Sequence, residues 1–473
     1  MERAELESIV AEVLKRLETV PSGPRSGAPA DGFVYKDLDA CVRDSGAAQE
    51  TFQALGMAKR KAIIDAMRKT AVQNAEPLAK LAREETGMGR YEDKVKKNLL
   101  TATKTPGPEC LESRAYTGDD GLTLVEWAPF GIVAAIIPST NPTATVINNS
   151  ISILSAGNSV IFSPHPAAVK CSREAMRLLN EAIVGAGGPK NLITTVDPAS
   201  QEMTKAVLAH PGVSVNLVTG GPAIVKVAMT VGKTCKTIAA GPGNPPVVVD
   251  ETADLEKAAK GVISGCSFDN NVLCTAEKEV IVVQSVHQRF LEALRRDPRG
   301  YELTGSQIDA VTKKVIVEGG RGCKDPKLNR EFVGKDASVI AAGCGISVPD
   351  GVRLLWADVP NDHPFVWTEQ LMPVLPITMA KCVDGAIELA YHAEGYNHHT
   401  ASMYSMNVAN MTKMARRMAA SIFVKNAPNY YGLGMGEGYA SMSIGTPTGD
   451  GLTRATHFVR PMHCSLVGYF RIA

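Results

Sequence analysis

From residue 33 to 112 apolar residues recur at three- and four-residue steps, the spacing of one helical face. Residues 57–74 and 75–86 predict two helices, and Gly87 predicts the stop of the second. The pattern changes at residue 122. Short apolar runs at 122–127, 131–137, 159–162, 191–196, 213–218, 237–239 and 246–250 read as strands. Helical stretches at 145–156, 167–185, 201–210 and 221–231 separate them. Such alternation implies βαβ units and a parallel sheet. Ligands are then expected beyond the strand C-termini. The alternation restarts after Ala253, with helices at 255–264, 286–296 and 309–318 and extended runs at 279–283, 337–340 and 373–379. A second α/β unit follows from it. Residues 426–451, NAPNYYGLGMGEGYASMSIGTPTGDG, are a long Gly-rich loop, and loops of that length in compact proteins are usually functional. Residues 457–472 alternate enough for an edge or inter-subunit strand.

The N-terminus stands apart. In residues 1–18, Leu6, Ile9, Val10, Val13, Leu14 and Leu17 form one amphipathic helical face. Residues 19–32 are rich in Pro, Gly and Ser, which makes a flexible linker. Two readings follow: a helix that folds back on its own body or pairs in an oligomer, or a detachable targeting helix that docks on another protein.

Composition narrows the partners. The chain has 473 residues, enough for two or three domains, with 45% hydrophobic and 21% charged residues. A formal net charge of +1 supplies no global field for nucleic acid or an anionic membrane. No run of 18 apolar residues and no secretory apolar region is present. Ten cysteines are too sparse for a disulfide scaffold, and no Cys-x-x-Cys pair occurs, so a reducing cytoplasm is expected. Nine scattered histidines, of which only His398 and His399 are adjacent, argue against a metal site.

Three residues carry candidate chemistry. Cys274 follows the polar segment Asp269-Asn270-Asn271 and precedes the strand at 279–283, a place suited to a nucleophile. The alternative is a small packed hydrophobe, the reading that fits Cys266 in GVISGCSF. Asn141, in the turn after an apolar strand, is either an Asx turn before Pro142 or a side-chain donor to an oxyanion. Glu369, just before the strand at 373–379, is either an exposed loop carboxylate or an acceptor for ribose hydroxyls. No Gly-x-Gly-x-x-Gly opens a helix after a strand, and no Walker A sequence exists.

Five motifs occur in one order: Ile137-Pro138-Ser139-Thr140-Asn141-Pro142, Thr219-Gly220-Gly221, Gly241-Pro242-Gly243-Asn244-Pro245-Pro246, Cys274, and Thr368-Glu369-Gln370-Leu371-Met372-Pro373. Together they resemble the aldehyde dehydrogenase superfamily, and more closely its CoA-acylating branch, the propionaldehyde and acetaldehyde dehydrogenases of bacterial microcompartments. The resemblance runs from about residue 33 to the C-terminus. It implies an α/β fold of the aldehyde dehydrogenase type. A Rossmann-like cofactor-binding domain would span 33–111 and 131–242, a catalytic domain 243–442, and oligomerisation strands 112–130 and 455–473. It implies Cys274 as nucleophile, with Asn141 and the Cys274 backbone N–H as oxyanion hole. Ile137, Pro138, Ser139, Thr140, Ser163, Pro164, His165, Thr219, Gly220, Gly221, Gly241, Glu369 and Leu371 would contact the cofactor, with Glu369 on the nicotinamide ribose. NAD is the implied cofactor and CoA the co-substrate, with propionaldehyde favoured among short aldehydes. A homodimer or homotetramer is implied, as is a docking role for residues 1–18 on a microcompartment shell or cargo protein.

The departures from the family pattern sharpen the expectation. Hydrolytic members carry a Glu-Leu-Gly-Gly segment whose Glu activates water. Ala240-Gly241-Pro242-Gly243 stands there in this chain. Water, with a pKa of about 15.7, needs a base to attack a thioester. A thiol of pKa about 8.5 is already a few per cent thiolate at neutral pH. Loss of the Glu therefore suppresses hydrolysis far more than attack by CoA. Ser163 stands where an adenosine-ribose Lys is usual, which leaves the choice between NAD and NADP open. The rival readings are a hydrolytic dehydrogenase, an inactive scaffold of the same fold, and a non-redox acyltransferase that uses Cys274.

Overall fold

The first described strand, β1 (Val34–Tyr35), leads into four helices, Leu38–Ala54, Gly56–Gln73, Ala75–Thr86 and Tyr91–Lys104. Local chemistry sets their ends. The Asp37 side chain accepts the Asp39 N–H at the first, and Gly87, at φ 64°, closes the third as expected. The computed structural model describes residues 32–231, 235–323 and 325–471. The helix expected at 1–18, and the linker up to its last residue, lie outside the described residues.

A hairpin of β2 (Arg114–Gly118) and β3 (Gly121–Pro129) precedes the first parallel sheet. β4 (Ile132–Ile137) is buried at all six positions, as a strand covered on both faces must be. It is joined by β5 (Ser159–Pro164), β6 (Ile193–Val196), β7 (Val215–Thr219) and β8 (Lys236–Ala240). The order is β1-β6-β5-β4-β7-β8. The chain runs outward from β4 through β5 and β6, then returns to the other side of β4 as β7. That reversal is a topological switch point, with its crevice at the strand C-termini. The helix Pro142–Ser155 follows β4 and is buried along its whole length. It starts three residues before the expected 145, because Pro142 at the first helical position has its φ preset and no N–H to lose.

The second sheet is built from β9 (Pro246–Val249), β10 (Glu279–Val283) and β11 (Gly300–Glu302). A small antiparallel pair, β12 (Ile316–Glu318) and β13 (Lys327–Leu328), intervenes. Then come β14 (Leu354–Asp358), β15 (Val374–Ala380), β16 (Thr400–Tyr404) and β17 (Ile422–Lys425). The seven-stranded order is β11-β14-β15-β10-β9-β16-β17, parallel throughout. β18 (Ile444–Gly445) and β19 (Gly451–Leu452) pair within the Gly-rich loop. Finally β20 (Val459–Val467) runs antiparallel to β3 over its full length, making the three-stranded sheet β2-β3-β20. No helix among the described residues is long and apolar enough to cross a membrane.

Two expectations are corrected. The run at 337–340, expected to be extended, is the start of a helix, Ala337–Gly343. A four-residue run, Ala337-Ser338-Val339-Ile340, fits either period, and only the packing of Ile340 and Ala341 in one cluster with Phe332 and Phe365 decides. The helix expected at 309–318 spans Gly305–Val315, with a Thr304–Gln307 capping box, and its last three expected residues form β12 instead.

Candidate active site

The ends of the first sheet's strands form one row. Ile136 pairs with both Ser163 and Val218, Ile137 pairs with Pro164, and Thr219 pairs with Ala240. The turns that leave this row hold the sequence-derived candidates: Ile137-Pro138-Ser139-Thr140-Asn141, Ser163-Pro164-His165, Thr219-Gly220-Gly221 and Gly241. The His165 N–H donates to the Ile137 carbonyl at 3.0 Å, tying the first two turns together. Gly221 sits at the start of the helix Pro222–Met229, and a Cβ added there would meet nothing within 4 Å. The backbone at Gly221 is thus open, whereas a Cβ on Gly220 would lie 2.7 Å from Ile224. Ser163 is a small buried residue at the end of β5. The Gly-rich loop closes over this edge: Ser443 Oγ lies 2.7 Å from Thr219 Oγ1, and Thr448 Oγ1 accepts the Ala239 N–H at 3.2 Å. A Cβ on Gly241 would lie 3.1 Å from Pro447.

Cys274 comes from the second sheet, in the turn before β10. The segment leading to it is strained. Asp269, Asn270 and Asn271 have φ of 47°, 53° and 64°, three consecutive left-handed residues without a glycine. Asp and Asn tolerate this region best, at about 1 kcal/mol or more each. Side chains hold the segment in place. The Asn270 amide donates to Gly334 O and Asp336 Oδ1, both at 3.0 Å, and the Asn271 amide to Cys266 O and Glu277 O, both at 2.9 Å. The fully buried Lys278 donates to Asn271 O at 3.2 Å, to Leu273 O at 3.0 Å and to Asn271 Oδ1. Ala144, in the first turn after Asn141, shares an apolar cluster with Phe268, Leu273 and Ala276. The Cys274 loop and the Asn141 turn therefore meet in one packed neighbourhood.

The Asn141 carboxamide makes no capping bond to its helix. Its Nδ2 donates to Thr140 Oγ1 at 3.2 Å, and its Oδ1 accepts from Lys97. The Asx-turn alternative is thereby left without its hydrogen bond. Cys266 is fully buried and takes the Asn271 amide at 3.2 Å, which fits packing.

Cys274 is half-buried. Burial pushes its thiol up to about 12; the Glu369 carboxylate adds to this, while Lys278 and the Cys274 and Thr275 N–H groups oppose it. Glu369, half-buried beside the Gly243 N–H, is itself raised to about 7 by burial, against the pull of Lys278. The neighbouring Gln370 is fully buried and donates to Lys278 O at 3.2 Å and Phe365 O at 2.6 Å, and Leu371 O accepts from Gly334 at 2.9 Å. Ala240 ends β8 with a methyl group, 4% exposed.

Two features were missed by sequence reasoning. His399 is fully buried, and a Cβ on Gly243 would lie 2.8 Å from its Cγ and 2.9 Å from the Cys274 carbonyl. Burial, then Lys278, pulls its pKa down to about 4, so the imidazole is neutral, and its buried Nε2 has no hydrogen-bond partner. Its neighbour His398 turns away and bonds Met418 O at 2.9 Å. The adjacent pair was weighed only for metal, and no metal-binding group of His, Cys, Asp or Glu occurs among the described residues. The second is Lys278, masked in the sequence as one charge in AEKEV.

Two parallel sheets, one with a switch-point crevice and the other leading into a cysteine loop that packs beside the Asn141 turn, define the class: an α/β enzyme of two sheets with a candidate cysteine nucleophile. The chain belongs to the aldehyde dehydrogenase family, whose profile matches residues 32–451. It is 47% identical over 476 residues to the acetaldehyde dehydrogenase (acetylating) EutE of Salmonella typhimurium, with 100% of each chain covered. A propionaldehyde dehydrogenase from the Clostridium phytofermentans fucose utilisation bacterial microcompartment is 40% identical, with a TM-score of 0.89 over 93% of this chain and 99% of that one. A Rhodopseudomonas palustris propionaldehyde dehydrogenase, with bound CoA and an acylated cysteine, is 43% identical, with a TM-score of 0.88 over 93% and 99%.

Proposed function

We propose that the protein is a CoA-acylating aldehyde dehydrogenase that oxidises a two- or three-carbon aldehyde to its acyl-CoA with NAD. The feature that carries the acylating outcome is Ala240: on the resemblance to the family, a methyl group at the end of β8 stands where hydrolytic members carry their water-activating Glu. The likeness to acetylating and propionaldehyde enzymes supports the same reading.

Cys274 Sγ attacks the aldehyde carbon, and the carbonyl π pair moves onto oxygen. Asn141 Nδ2 and the Cys274 N–H receive that oxyanion. The thiol is protonated at rest, so its proton leaves as the C–S bond forms; Glu369, raised to about 7, and the neutral His399 are the acceptors at hand. NAD, when bound, would supply the hydride acceptor for this oxidation, and the acyl group would then stay on Cys274 as a thioester. The CoA thiol then gives its proton to Glu369 or His399 as its sulfur adds to the same carbon, the oxyanion forms again at Asn141, and its collapse breaks the C–S bond to Cys274, whose sulfur takes that proton back. Ile137, Pro138, Ser139 and Thr140 would line the nicotinamide end with Glu369, Gly241 and Leu371. Ser163, Pro164 and His165 would take the adenosine half, and Thr219, Gly220 and Gly221 the pyrophosphate.

The proposed division has residues 33–111 and 131–242 binding cofactor, 243–442 carrying the thiol, and 112–130 with 455–473 joining subunits. Met462, Leu466 and Val467 of β20, and Tyr469 and Phe470 after it, are exposed apolar side chains, which supports a homodimer or homotetramer through that sheet. Residues 1–18 would dock the enzyme on a shell or cargo protein, inside a microcompartment.

The test is steady-state NADH formation from acetaldehyde and propionaldehyde, with and without CoA. Turnover should require CoA and vanish in Cys274→Ser. Equal NADH formation without CoA would assign a hydrolytic enzyme instead.

A further inference from the structure

The helix Tyr91–Lys104 carried no chemistry in the sequence, yet it places two buried cations against the proposed oxyanion site. The side chains of Lys94 and Lys97, one turn apart, are 3% and 1% exposed. Lys97 Nζ donates to Asn141 Oδ1 and to Asp269 Oδ2. Lys94 Nζ reaches the Thr140 carbonyl at 3.2 Å and the same Asp269 oxygen at 3.3 Å. The other Asp269 oxygen accepts the Arg90 N–H at 2.6 Å, and the Asp269 N–H donates to Asp93 Oδ2 at 3.0 Å. Gly89 makes room for this hub, since a Cβ there would fall 2.1 Å from Asp269 Oδ1. Asp269 is thus the first strained residue of the Cys274 loop and the partner of both ammonium groups.

A carboxamide has two ends, and only one suits each neighbour. An ammonium has donors and no acceptor, so it must face Oδ1. A flipped Asn141 would set NH₂ against NH₃⁺. The cation therefore decides that Nδ2 points away from the helix Tyr91–Lys104. A charged donor on the oxygen also polarises the amide and strengthens its N–H groups. Lys94 already neutralises Asp269, so charge balance alone does not require Lys97.

We propose that Lys97 is a positioning residue: it holds the Asn141 carboxamide with Nδ2 toward the substrate oxygen and, through Asp269, ties that donor to the loop carrying Cys274. This rests on the reading of Asn141 as oxyanion donor. The test uses Lys97→Met, Lys97→Gln, Asn141→Ala and the double variant Lys97→Met/Asn141→Ala in the full chain. Three quantities are read: kcat and KM for CoA-dependent NADH formation, and alkylation of Cys274 by iodoacetamide. Lys97→Met should lower kcat by about 10²-fold with little change in KM. Cys274 alkylation should stay within about threefold of wild type, and the double variant should be no slower than Asn141→Ala alone. Lys97→Gln, which keeps an N–H donor, should recover about tenfold of the loss, and it carries the same cycle if Lys97→Met does not fold. Losses that multiply in the double variant, or alkylation that falls in step with kcat, would overturn the proposal in favour of a structural role for Lys97. Wild-type kcat in Asn141→Ala would remove the reading of Asn141 and the proposal with it, while Cys274→Ser still tests the nucleophile separately.

Discussion

The thiol of the resting enzyme is held protonated, and the consequence is measurable. With its pKa near 12, Cys274 is ionised only to roughly 3 parts in 10⁵ at pH 7.5, against about one part in ten for an ordinary thiol. That is a deficit of about 3,000-fold in thiolate. A more basic thiolate is the better nucleophile, and a Brønsted coefficient of about 0.45 returns ~40-fold, leaving a net loss of about 10². The perturbation is pH, and the assay is iodoacetamide labelling of the full chain, with the peptides of Cys274 and of the exposed Cys382 quantified by mass spectrometry. Away from pH 7, Cys274 labelling should climb about tenfold per pH unit up to pH 10 without a plateau, because thiolate grows by that factor below the pKa. Glu369 charges as pH rises through about 7, and its negative charge raises the thiol further, so the slope should flatten there and recover above. Glu369→Gln removes that charge: labelling should rise at pH 8 and the inflection should disappear. A plateau below pH 9, or Cys274 labelling faster than Cys382 at pH 7.5, would refute the reasoning and mean a thiolate already formed in the free enzyme.

Asn141→Ala should cost about 10²–10³ in kcat if the amide meets the oxyanion, and a loss under about threefold would reject that role. Ala240→Glu places a carboxylate at the end of β8, and NADH formation without CoA should rise at least ~10-fold; no rise would mean that this edge does not reach the thioester. Lys278→Met strips the donor from Asn271 O, Asn271 Oδ1 and Leu273 O, and should ease local opening of the loop by about 3 kcal/mol. Hydrogen exchange in peptides covering 268–278 should then quicken about 10²-fold, and unchanged exchange would show that the strained turn holds itself.

The legible part of this fold lies in its strong periodic runs. β4, β5, β10 and β15 were expected within two residues of where they lie, because short runs rich in apolar and β-branched residues between turn residues leave few options. Gly87 stopped its helix for a reason any sequence shows, a backbone free to take positive φ. The run at 337–340 failed because four residues cannot distinguish a period of two from one of 3.6. Cys274 and Asn141 were legible as candidates through motif order. Lys97 and Lys278 were not, since a lysine's chemistry depends on whether its ammonium meets water or carbonyl oxygens.

By itself, the sequence determined the alternation that makes two parallel sheets, the position of the thiol before a strand, and the missing carboxylate at Ala240. These depend on residues near one another along the chain. Tertiary structure alone decided how the thiol is held. Asp269 receives Lys94 and Lys97 from a helix more than 170 residues earlier, and the protonation of Cys274 follows from burial and from Glu369, 95 positions on. Burial and long-range pairing set the energy of a charge, and neither can be read from its neighbours in sequence.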